Sequence, residues 1–308
     1  MNENNFPIIS IGCNLVIYKS LFTTEPTENT DKMLNYSGDT SAFIKQIIEA
    51  LHGNNHDDRI FSGNIKNSSS ASAVLFLLGF MGEESPFPSE PCLILNKRSL
   101  KVKQAGDLCF PGGSISSRLD SFLAKLLYLP GSSLSNWPYW HMWRKEENRQ
   151  ARRLALLFAT SLREGFEEMR LNPFGVKFLG PLPSQQLVMF QRVIFPMVCW
   201  ISRQKRFSPN WEVEEVVNIP LNNLLMHSNY ACYRLTIKSR QKNEQNSIIK
   251  DFPCFLHEHN NSVEKLWGAT FRITMVFLEI VFGFKPPDID SLPVVHGTLD
   301  ENYLTGNG

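Results

Sequence analysis

Three glutamates closely follow one arginine in the stretch REGFEEM, residues 163–169. Glutamates three or four residues apart share one side of a helix, where like charges repel by roughly 0.2–0.5 kcal/mol per pair. Their own charges therefore do not stabilise this cluster, whereas a bound cation would. Magnesium prefers oxygen ligands. The segment thus predicts a cation site whose ligands are Glu164, Glu167 and Glu168.

A long helix is needed to carry these side chains. The sequence predicts it from about residue 146 to about residue 172, with Pro173 as its stop. Apolar residues at helical spacing define its buried stripe, namely Leu154, Leu157, Phe158, Leu162 and Met169. At about 100° per residue, the three glutamates fall within a sector of about 100° beside that stripe. They can therefore converge on one point.

Strands are predicted on both sides of this helix. Upstream, SAVLFLLGF and CLILNKRS are short apolar runs typical of buried strands, and GDLCFPGG is a third strand that closes on a proline and two glycines. Downstream, we expect strands at GVKFLGPLP, RVIFPMVCWI, VEEVVNIPL, YRLTIKS and FPCFLHE, a short helix at LNNLLMH, and a closing amphipathic helix at VEKLWGATFRITMVFLEIVFGF. This order predicts a mixed α/β (α+β) fold, a sandwich with helices on both faces of a mixed sheet.

Both ends of the chain are predicted to be appendages. Residues 1–70 are rich in Asn, Ser and Thr, and their only segment with helical periodicity is TSAFIKQIIEALHG, which Gly53 ends. Whether this helix packs on the main domain is left open by the sequence, and a linker-like stretch, SGNIKNSSSAS, follows it. We expect residues 288–308 to form a loose tail. The main domain is therefore predicted over residues 71–287.

The diglycine turn and the glutamate helix together resemble the Nudix box, G-x5-E-x7-R-E-U-x-E-E-x-G-U, in which U is a bulky apolar residue. Gly113 would open the box and REGFEEMRL would close it. The flanking segments LILNKRSLKVKQAGDLCFPGG, WEVEEVVNIPL and LWGATFRI are similar to the coenzyme A pyrophosphatase branch of that family. The resemblance covers about residues 71–287 and implies a Nudix-like α/β/α sandwich.

This resemblance implies a metal-dependent pyrophosphohydrolase that cleaves a nucleoside diphosphate-linked substrate. For the branch in question, coenzyme A or an acyl derivative would be cleaved to 3′,5′-ADP and a phosphopantetheine. The chemistry agrees with the residues, because Mg²⁺ or Mn²⁺ neutralises charge on a diphosphate and generates hydroxide. The expected catalytic residues are the three glutamates and Arg163, which we expect to orient a glutamate through a bidentate hydrogen bond.

Other residues have expected roles around this centre. Gly112 and Gly113 would bring backbone close to metal or phosphate. Glu212, in WEVEEV, is a candidate metal ligand or general base, and the alternative is an exposed acidic loop. Four basic residues are candidate phosphate ligands, although a basic strand edge is often simply a solvated surface. They are Lys97, Arg98, Lys101 and Lys103.

The sequence departs from the box at several positions. The first box glutamate is expected at Leu119, and whether the next residue, Asp120, replaces it is open. Gly165 occupies an apolar position, and Arg170 replaces the final glycine, which removes a convenient helix stop. Gln104 stands where the branch often has histidine.

The largest departure is an insert of about 36 residues at about 120–150, which separates the diglycine from the glutamate helix. It contains NWPYWHMWRK, whose aromatic residues could form a lid over a substrate base, a dimer contact, a membrane-interface foot or the core of a small helical hairpin. We favour the hairpin. A rival interpretation of the whole chain is a catalytically silent Nudix-fold binding or regulatory protein that uses this insert as its partner surface.

Bulk properties exclude several classes of protein. With 43% hydrophobic residues, 20% charged residues and a net charge of +1, the composition is typical of a soluble globular protein without a general attraction to nucleic acid or acidic membranes. No apolar run is long enough to span a membrane. The six cysteines are scattered singly, which fits a reducing compartment. We therefore predict a cytoplasmic protein that acts on a small nucleotide-type substrate.

Overall fold

The computed structural model describes residues 36, 38–53, 71–80, 90–187, 192–201, 204, 206–238 and 247–300. Most of the predicted N-terminal extension, the linker before residue 71 and the last eight residues of the predicted tail lie outside these ranges. Within the described part of the chain, no helix is long and apolar enough to cross a membrane. The five cysteines in these ranges are free thiols, and four of them are buried.

The central sheet contains eight strands: β1 (Ala71–Phe80), β2 (Pro91–Arg98), β3 (Leu108–Cys109), β4 (Gly112–Ser114), β5 (Val176–Pro181), β6 (Gln185–Leu187), β7 (Arg192–Ile201) and β8 (Val213–Pro220). Five strands form the main path in the order β3–β2–β1–β7–β5. Of the other three, β8 pairs with β2, β4 pairs with β1 and β6 pairs with β7. The β1–β7 ladder is parallel and its neighbours are antiparallel. The sheet is therefore mixed, as predicted.

Helices cover both faces of this sheet. They are α1 (Thr40–Gly53), α2 (Ser117–Leu126), α3 (Trp140–Glu146), α4 (Asn148–Met169), α5 (Leu221–Leu224) and α6 (Gly268–Phe282). Successive side chains of a strand point to opposite faces. Accordingly, Leu75 and Leu77 of β1 pack with α4, whereas Phe76 and Leu78 pack with α1 and α6. The predicted mixed α/β sandwich is confirmed.

Helix α1 belongs to the core, although its surroundings in the sequence suggested an appendage. Its predicted span is confirmed, and five of its apolar side chains are buried. The Phe43 ring packs edge-on against Trp200 at a centroid distance of 6.2 Å. It also stacks on Phe282 at a centroid distance of 6.4 Å. The folded domain thus extends N-terminally to at least residue 40.

The insert folds as two short helices, α2 and α3, that pack beside α4. Trp137, Trp140 and Trp143 are each only 3% exposed and lie in the same core as Phe158. The Trp137 indole donates a hydrogen bond to the carbonyl of Leu179 at 2.9 Å. These tryptophans therefore belong to the main core of the domain, and the favoured prediction that they form the core of a small helical hairpin is wrong.

A second, four-stranded sheet corrects two predictions about the C-terminal part. It consists of β9 (Tyr230–Lys238), β10 (Ser247–His259), β11 (Ser262–Trp267) and β12 (Val294–Asp300), in the order β11–β10–β9–β12. The prediction that the closing helix begins near residue 263 is wrong, because β11 pairs with β10 there. The prediction of a loose tail is wrong for residues 294–300, because β12 pairs in parallel with β9.

Candidate active site

The glutamate helix ends at Met169, and two unusual residues, Gly165 and Arg170, explain how. Gly165 lies so close to β1 and the following chain that an added Cβ would meet Leu75 Cδ1 at 2.9 Å and Leu171 Cδ2 at 3.0 Å. Arg170 adopts a left-handed conformation, with φ 55°. The amides of Arg170 and Leu171 donate to the carbonyls of Phe166 and Gly165. The helix therefore stops as it would with a glycine cap, but at the cost of strain in a non-glycine residue.

The diglycine turn lies directly against this helix. At Gly112 an added Cβ would come within 2.6 Å of Val74 Cα, so only glycine fits beside β1. At Gly113 it would come within 2.6 Å of Glu164 Cδ. The two segments that resemble parts of the Nudix box, about 50 residues apart in sequence, therefore lie against each other in space.

Arg163 links the turn and the carboxylates. Its guanidinium lies 2.9 Å from Glu164 Oε1 and donates to Glu167 Oε2 at 2.9 Å. It also donates to the carbonyl of Ser114 at 3.1 Å. Burial lowers the pKa of Arg163, but the hydrogen bond to Asp120 and the nearby carboxylates more than offset this and raise it overall. Arg163 thus stays charged and holds both glutamates.

Asp120 is the buried anchor of this arginine. It is fully buried and accepts from Arg163 Nε at 2.7 Å, from Thr160 Oγ1 at 2.8 Å and from the backbone amide of Ser116 at 2.6 Å. A buried carboxylate with this many donors, one of them charged, is well compensated. One residue after the position expected for the first box glutamate, the chain therefore supplies a carboxylate that holds Arg163 in place.

Glu168 lies in a strongly acidic environment. Burial, followed by the charge of Glu164, raises its pKa to about 8, and the charge of Glu212 adds to this effect. The side-chain amide of Asn96 opposes the shift by donating to Glu168 Oε2 at 2.8 Å. Burial also raises the pKa of Glu164. The negative charges of Glu164 and Glu212 thus both act on the buried Glu168 carboxylate.

This environment suits a hard divalent cation. The donors are all carboxylate oxygens, and burial raises the pKa values of Glu164 and Glu168, so a bound cation would stabilise their charged forms. Across the described ranges, however, no three His, Cys, Asp or Glu side chains are close enough together to hold a metal ion as they stand. Glu167 in particular is turned towards Arg163. The three-glutamate cation site therefore stays a prediction.

Lys97, one of the predicted phosphate ligands, pairs with three glutamates. Its ammonium group lies 2.9 Å from Glu264, 3.3 Å from Glu215 and 3.6 Å from Glu214. Burial lowers the pKa of Lys97, but these carboxylates, Glu264 first, raise it overall. The cluster joins the central sheet to the second sheet through β11. We therefore assign Lys97 a role in holding the two sheets together.

The other predicted basic phosphate ligands lie at the end of β2, which is Arg98, and on the loop that follows it. Arg98 donates from Nε to the carbonyl of Lys103 at 2.7 Å, and so it shapes this loop. Lys101 and Lys103 are exposed. The loop is tied to the acidic region, because the amide of Ser99 donates to the carbonyl of Glu212 at 2.8 Å.

Sequence reasoning missed Asn96. The signal was present, because Asn96 is the one polar residue among the apolar positions of CLILN, and a buried polar side chain needs a partner. Its side chain is fully buried, and its Oδ1 has no partner among the described residues. Its partner, Glu168, lies 72 residues away in sequence, so no local pattern could identify it.

Comparison with known proteins supports the Nudix resemblance at the level of sequence. No protein-family model matches the chain. The chain is 30% identical over 155 residues to an uncharacterized Nudix hydrolase, NudL, of Pectobacterium atrosepticum. The alignment covers 49% of this chain and 60% of the relative, so the chain spans less than two thirds of that relative's length.

Solved structures give a weaker similarity. The Nudix hydrolase RenU of M. smegmatis matches with a TM-score of 0.32 and 13% identity, covering 51% of this chain and 73% of RenU. The NUDIX domain of Shewanella oneidensis NrtR, solved with ADP ribose, matches with a TM-score of 0.31 and 15% identity, covering 56% of this chain and 86% of that domain.

Proposed function

We propose that this chain is a Nudix-family pyrophosphohydrolase that uses Mg²⁺ or Mn²⁺. The observation that carries the proposal is the contact between Gly113 and Glu164, with Arg163 joining the turn to two glutamates. This contact supports the proposal because it brings together the two segments that resemble parts of the Nudix box. The sequence similarity to a Nudix hydrolase supports it independently.

In this proposal Glu164, Glu167 and Glu168 would hold the cation, and Glu212 is the candidate for a further ligand or the general base. When bound, the cation would supply positive charge to the diphosphate oxygens and acidify water. Glu212 suits a role in accepting a proton, because it is partly exposed and its charge acts on Glu168.

The remaining residues would position these groups. Arg163 fixes Glu164 and Glu167, and Asp120 fixes Arg163. Asn96 fixes the rotamer of Glu168 and favours its charged form, which is the form that binds cations. Supporting contacts of this kind keep the ligands in place before the substrate arrives.

For the substrate, we propose a nucleoside diphosphate-linked compound, with coenzyme A or acyl-CoA as the first candidate on the strength of the motif resemblance. Arg98, Lys101 and Lys103, together with the backbone at Gly112 and Gly113, would contact its phosphates. We leave Lys97 out of this set because three glutamates already pair with it.

A substrate panel tests the activity. Purified full-length protein is incubated with Mg²⁺ or Mn²⁺ and coenzyme A, ADP-ribose, NADH, a diadenosine polyphosphate or a nucleoside triphosphate. We expect cleavage of at least one diphosphate-linked compound, with coenzyme A favoured. If no compound is cleaved with either metal, the hypothesis that the protein is an enzyme is wrong. The alternative, a catalytically silent Nudix-fold binding protein, then takes its place.

A substitution tests the site itself. Glu167→Gln should lower turnover at least about 100-fold, since it removes a charge at the reacting centre. It should leave the melting temperature nearly unchanged, because the Glu167 side chain is 48% exposed. The matched control is Glu279→Gln on the outer face of α6, whose side chain is 59% exposed. Full activity in Glu167→Gln would refute the assignment of this residue.

A further inference from the structure

A second charged region lies at the other end of α4, where the insert packs against it. Helices α2, α3 and α4 enclose an open cleft of about 1080 Å³. The cleft has an apolar floor that includes Ala124 and Leu156. Its volume is slightly above the usual range of small-molecule sites, roughly 300–1,000 Å³.

The rim of the cleft is basic. Four side chains with permanent positive charge line it, and none of the described residues that line it is acidic. No ion pair within the described ranges neutralises them. They are Lys125, Arg144, Lys145 and Arg152. Uncompensated positive charges on this scale attract anions, especially phosphates, to which arginine donates in bidentate fashion.

Tyr128 adds a hydrogen-bonding group inside the cleft. Its ring packs edge-on against Trp140 at 5.1 Å, and the guanidinium of Arg144 lies 5.4 Å above it. Its hydroxyl oxygen is shielded from solvent and has no partner among the described residues. A shielded hydroxyl without a partner is costly, and an acceptor on a ligand would satisfy it.

The amino end of α4 strengthens the attraction for anions. Asn148, the first residue of this 22-residue helix, lines the cleft, and no side chain caps the helix there. The first turn of a long helix carries a partial positive charge and unpaired amide groups. Glu147 precedes it at the cap position, and its carboxylate instead accepts from Gln150 at 3.3 Å.

This cleft is separate from the candidate active site. Arg152 and Glu164 are 12 positions apart on the same helix, which at 1.5 Å per residue corresponds to about 18 Å along its axis. No residue that lines the cleft contributes to the carboxylate cluster.

We propose that this cleft is a binding site for a small molecule that carries two or more phosphates, distinct from the catalytic centre. The arginines and lysines contact the phosphates, and the Tyr128 hydroxyl donates to a phosphate oxygen. The apolar floor accepts a less polar part of the ligand, such as a base. The proposal does not depend on hydrolytic activity.

Calorimetric titration of the full chain in metal-free buffer tests this site apart from the catalytic one, which needs a cation. The probes are inorganic tripolyphosphate and ATP. We expect saturable one-to-one binding of both, tighter for ATP if the floor holds a base. Equal affinity would mean that the phosphates alone are recognised.

Two variants and one control locate the binding. Arg152→Glu should weaken it at least about 10-fold, as expected when a charged hydrogen bond becomes a repulsion. Tyr128→Phe, which removes one hydroxyl, should weaken it about 3- to 10-fold. Arg149→Glu is the control, because it makes the same charge change on the same helix at an exposed residue that does not line the cleft. Melting curves verify that each variant folds.

Three results would overturn the proposal. The first is no saturable binding of either probe at millimolar concentration. The second is an equal loss in Arg149→Glu and Arg152→Glu, which would indicate diffuse attraction. The third is binding to vesicles with anionic lipid but to neither soluble probe, which would make the basic cleft a membrane contact instead.

Discussion

The two ends of helix α4 carry opposite charges, and each is the reverse of what the helix itself favours. Acidic residues occupy the last turns, from Glu164 to Glu168, while arginines occupy the first turns, at Arg149 and Arg152. A helix favours anions at its amino end and cations at its carboxyl end, by roughly 0.3–1 kcal/mol for each charge. Neither arrangement helps the helix, so each end gains most from a bound ion of opposite charge.

The two ends of α4 differ in how firmly hydrogen bonds and ion pairs hold their charged side chains in place. At the acidic end, Asp120, Arg163 and Asn96 hold the glutamates through buried or charged hydrogen bonds. At the basic end, the side chains are exposed and the described residues include no ion-pair partner for Arg144 or Arg152. Reaction chemistry requires groups fixed in place, whereas binding tolerates flexible ones. The comparison therefore suggests catalysis at one end and ligand binding at the other.

The largest effect is expected from removing the anchor of the organised end. Asp120→Ala leaves the partly buried Arg163 without its main partner, which should lower the free energy of unfolding by about 3–5 kcal/mol. The control is Asp251→Ala, which breaks the solvent-exposed pair with Arg234 and should change the stability far less. Urea denaturation measures both. Equal effects would show that the acidic end is no better organised than the surface.

The next effect concerns cation affinity. Asn96→Ala removes the donor that stabilises ionised Glu168, so binding of Mn²⁺ should weaken about 10- to 100-fold. Asn136→Ala, an exposed change in the insert, should leave it unaltered. Titration followed by the electron paramagnetic resonance of free Mn²⁺ measures both. An unchanged affinity in Asn96→Ala would remove Asn96 from the site.

A smaller effect is the pH dependence of stability without metal. The pKa of Glu168 is raised to about 8 from an ordinary value of 4.5, so folding favours its protonated form. The stability that this provides is complete below about pH 4.5 and is lost as the pH rises towards 8, by at most about 1.4 kcal/mol per pH unit. Since protons compete with the cation, Mg²⁺ should stabilise the protein more at pH 8 than at pH 6. Melting temperatures with and without Mg²⁺ measure this, and Glu168→Gln should abolish the difference.

The smallest effect concerns the stop of α4. Arg170→Gly should raise the free energy of unfolding by about 1 kcal/mol, because glycine adopts the left-handed conformation without strain. Turnover should not change if the cap only ends the helix. A loss of stability on this substitution would show that the Arg170 side chain, which lies over the Phe166 ring at 5.2 Å, contributes more than the strain costs.

Local patterns predicted most of the fold. Apolar runs indicated β1 and β2, and apolar periodicity indicated α1 and α4, because these elements bury side chains in a regular order. Strands β11 and β12 were missed because their partners are distant in sequence or joined by an unrecognised turn. The β10–β11 turn uses Asn260 and Asn261, both with positive φ, which is a hairpin signal.

The candidate site was predictable only in part, for a similar reason. The spacing of Glu164, Glu167 and Glu168 was visible in the sequence, but their partners were not. Lys97 illustrates the limit, because a lysine before a glycine turn looks like a phosphate ligand until Glu264, 167 residues away, is found beside it. Asp120 remained ambiguous for the same reason, since only the fold brings it to Arg163.

Direct measurement of cation binding is the most decisive test of the central claim, that the carboxylates at the end of α4 hold a divalent metal. Mn²⁺ is titrated into wild-type protein, Glu168→Gln and the surface control Glu279→Gln. The account predicts saturable binding to wild type and control, and at least about 10-fold weaker binding to Glu168→Gln. Equal binding to all three proteins, or to none, would contradict it.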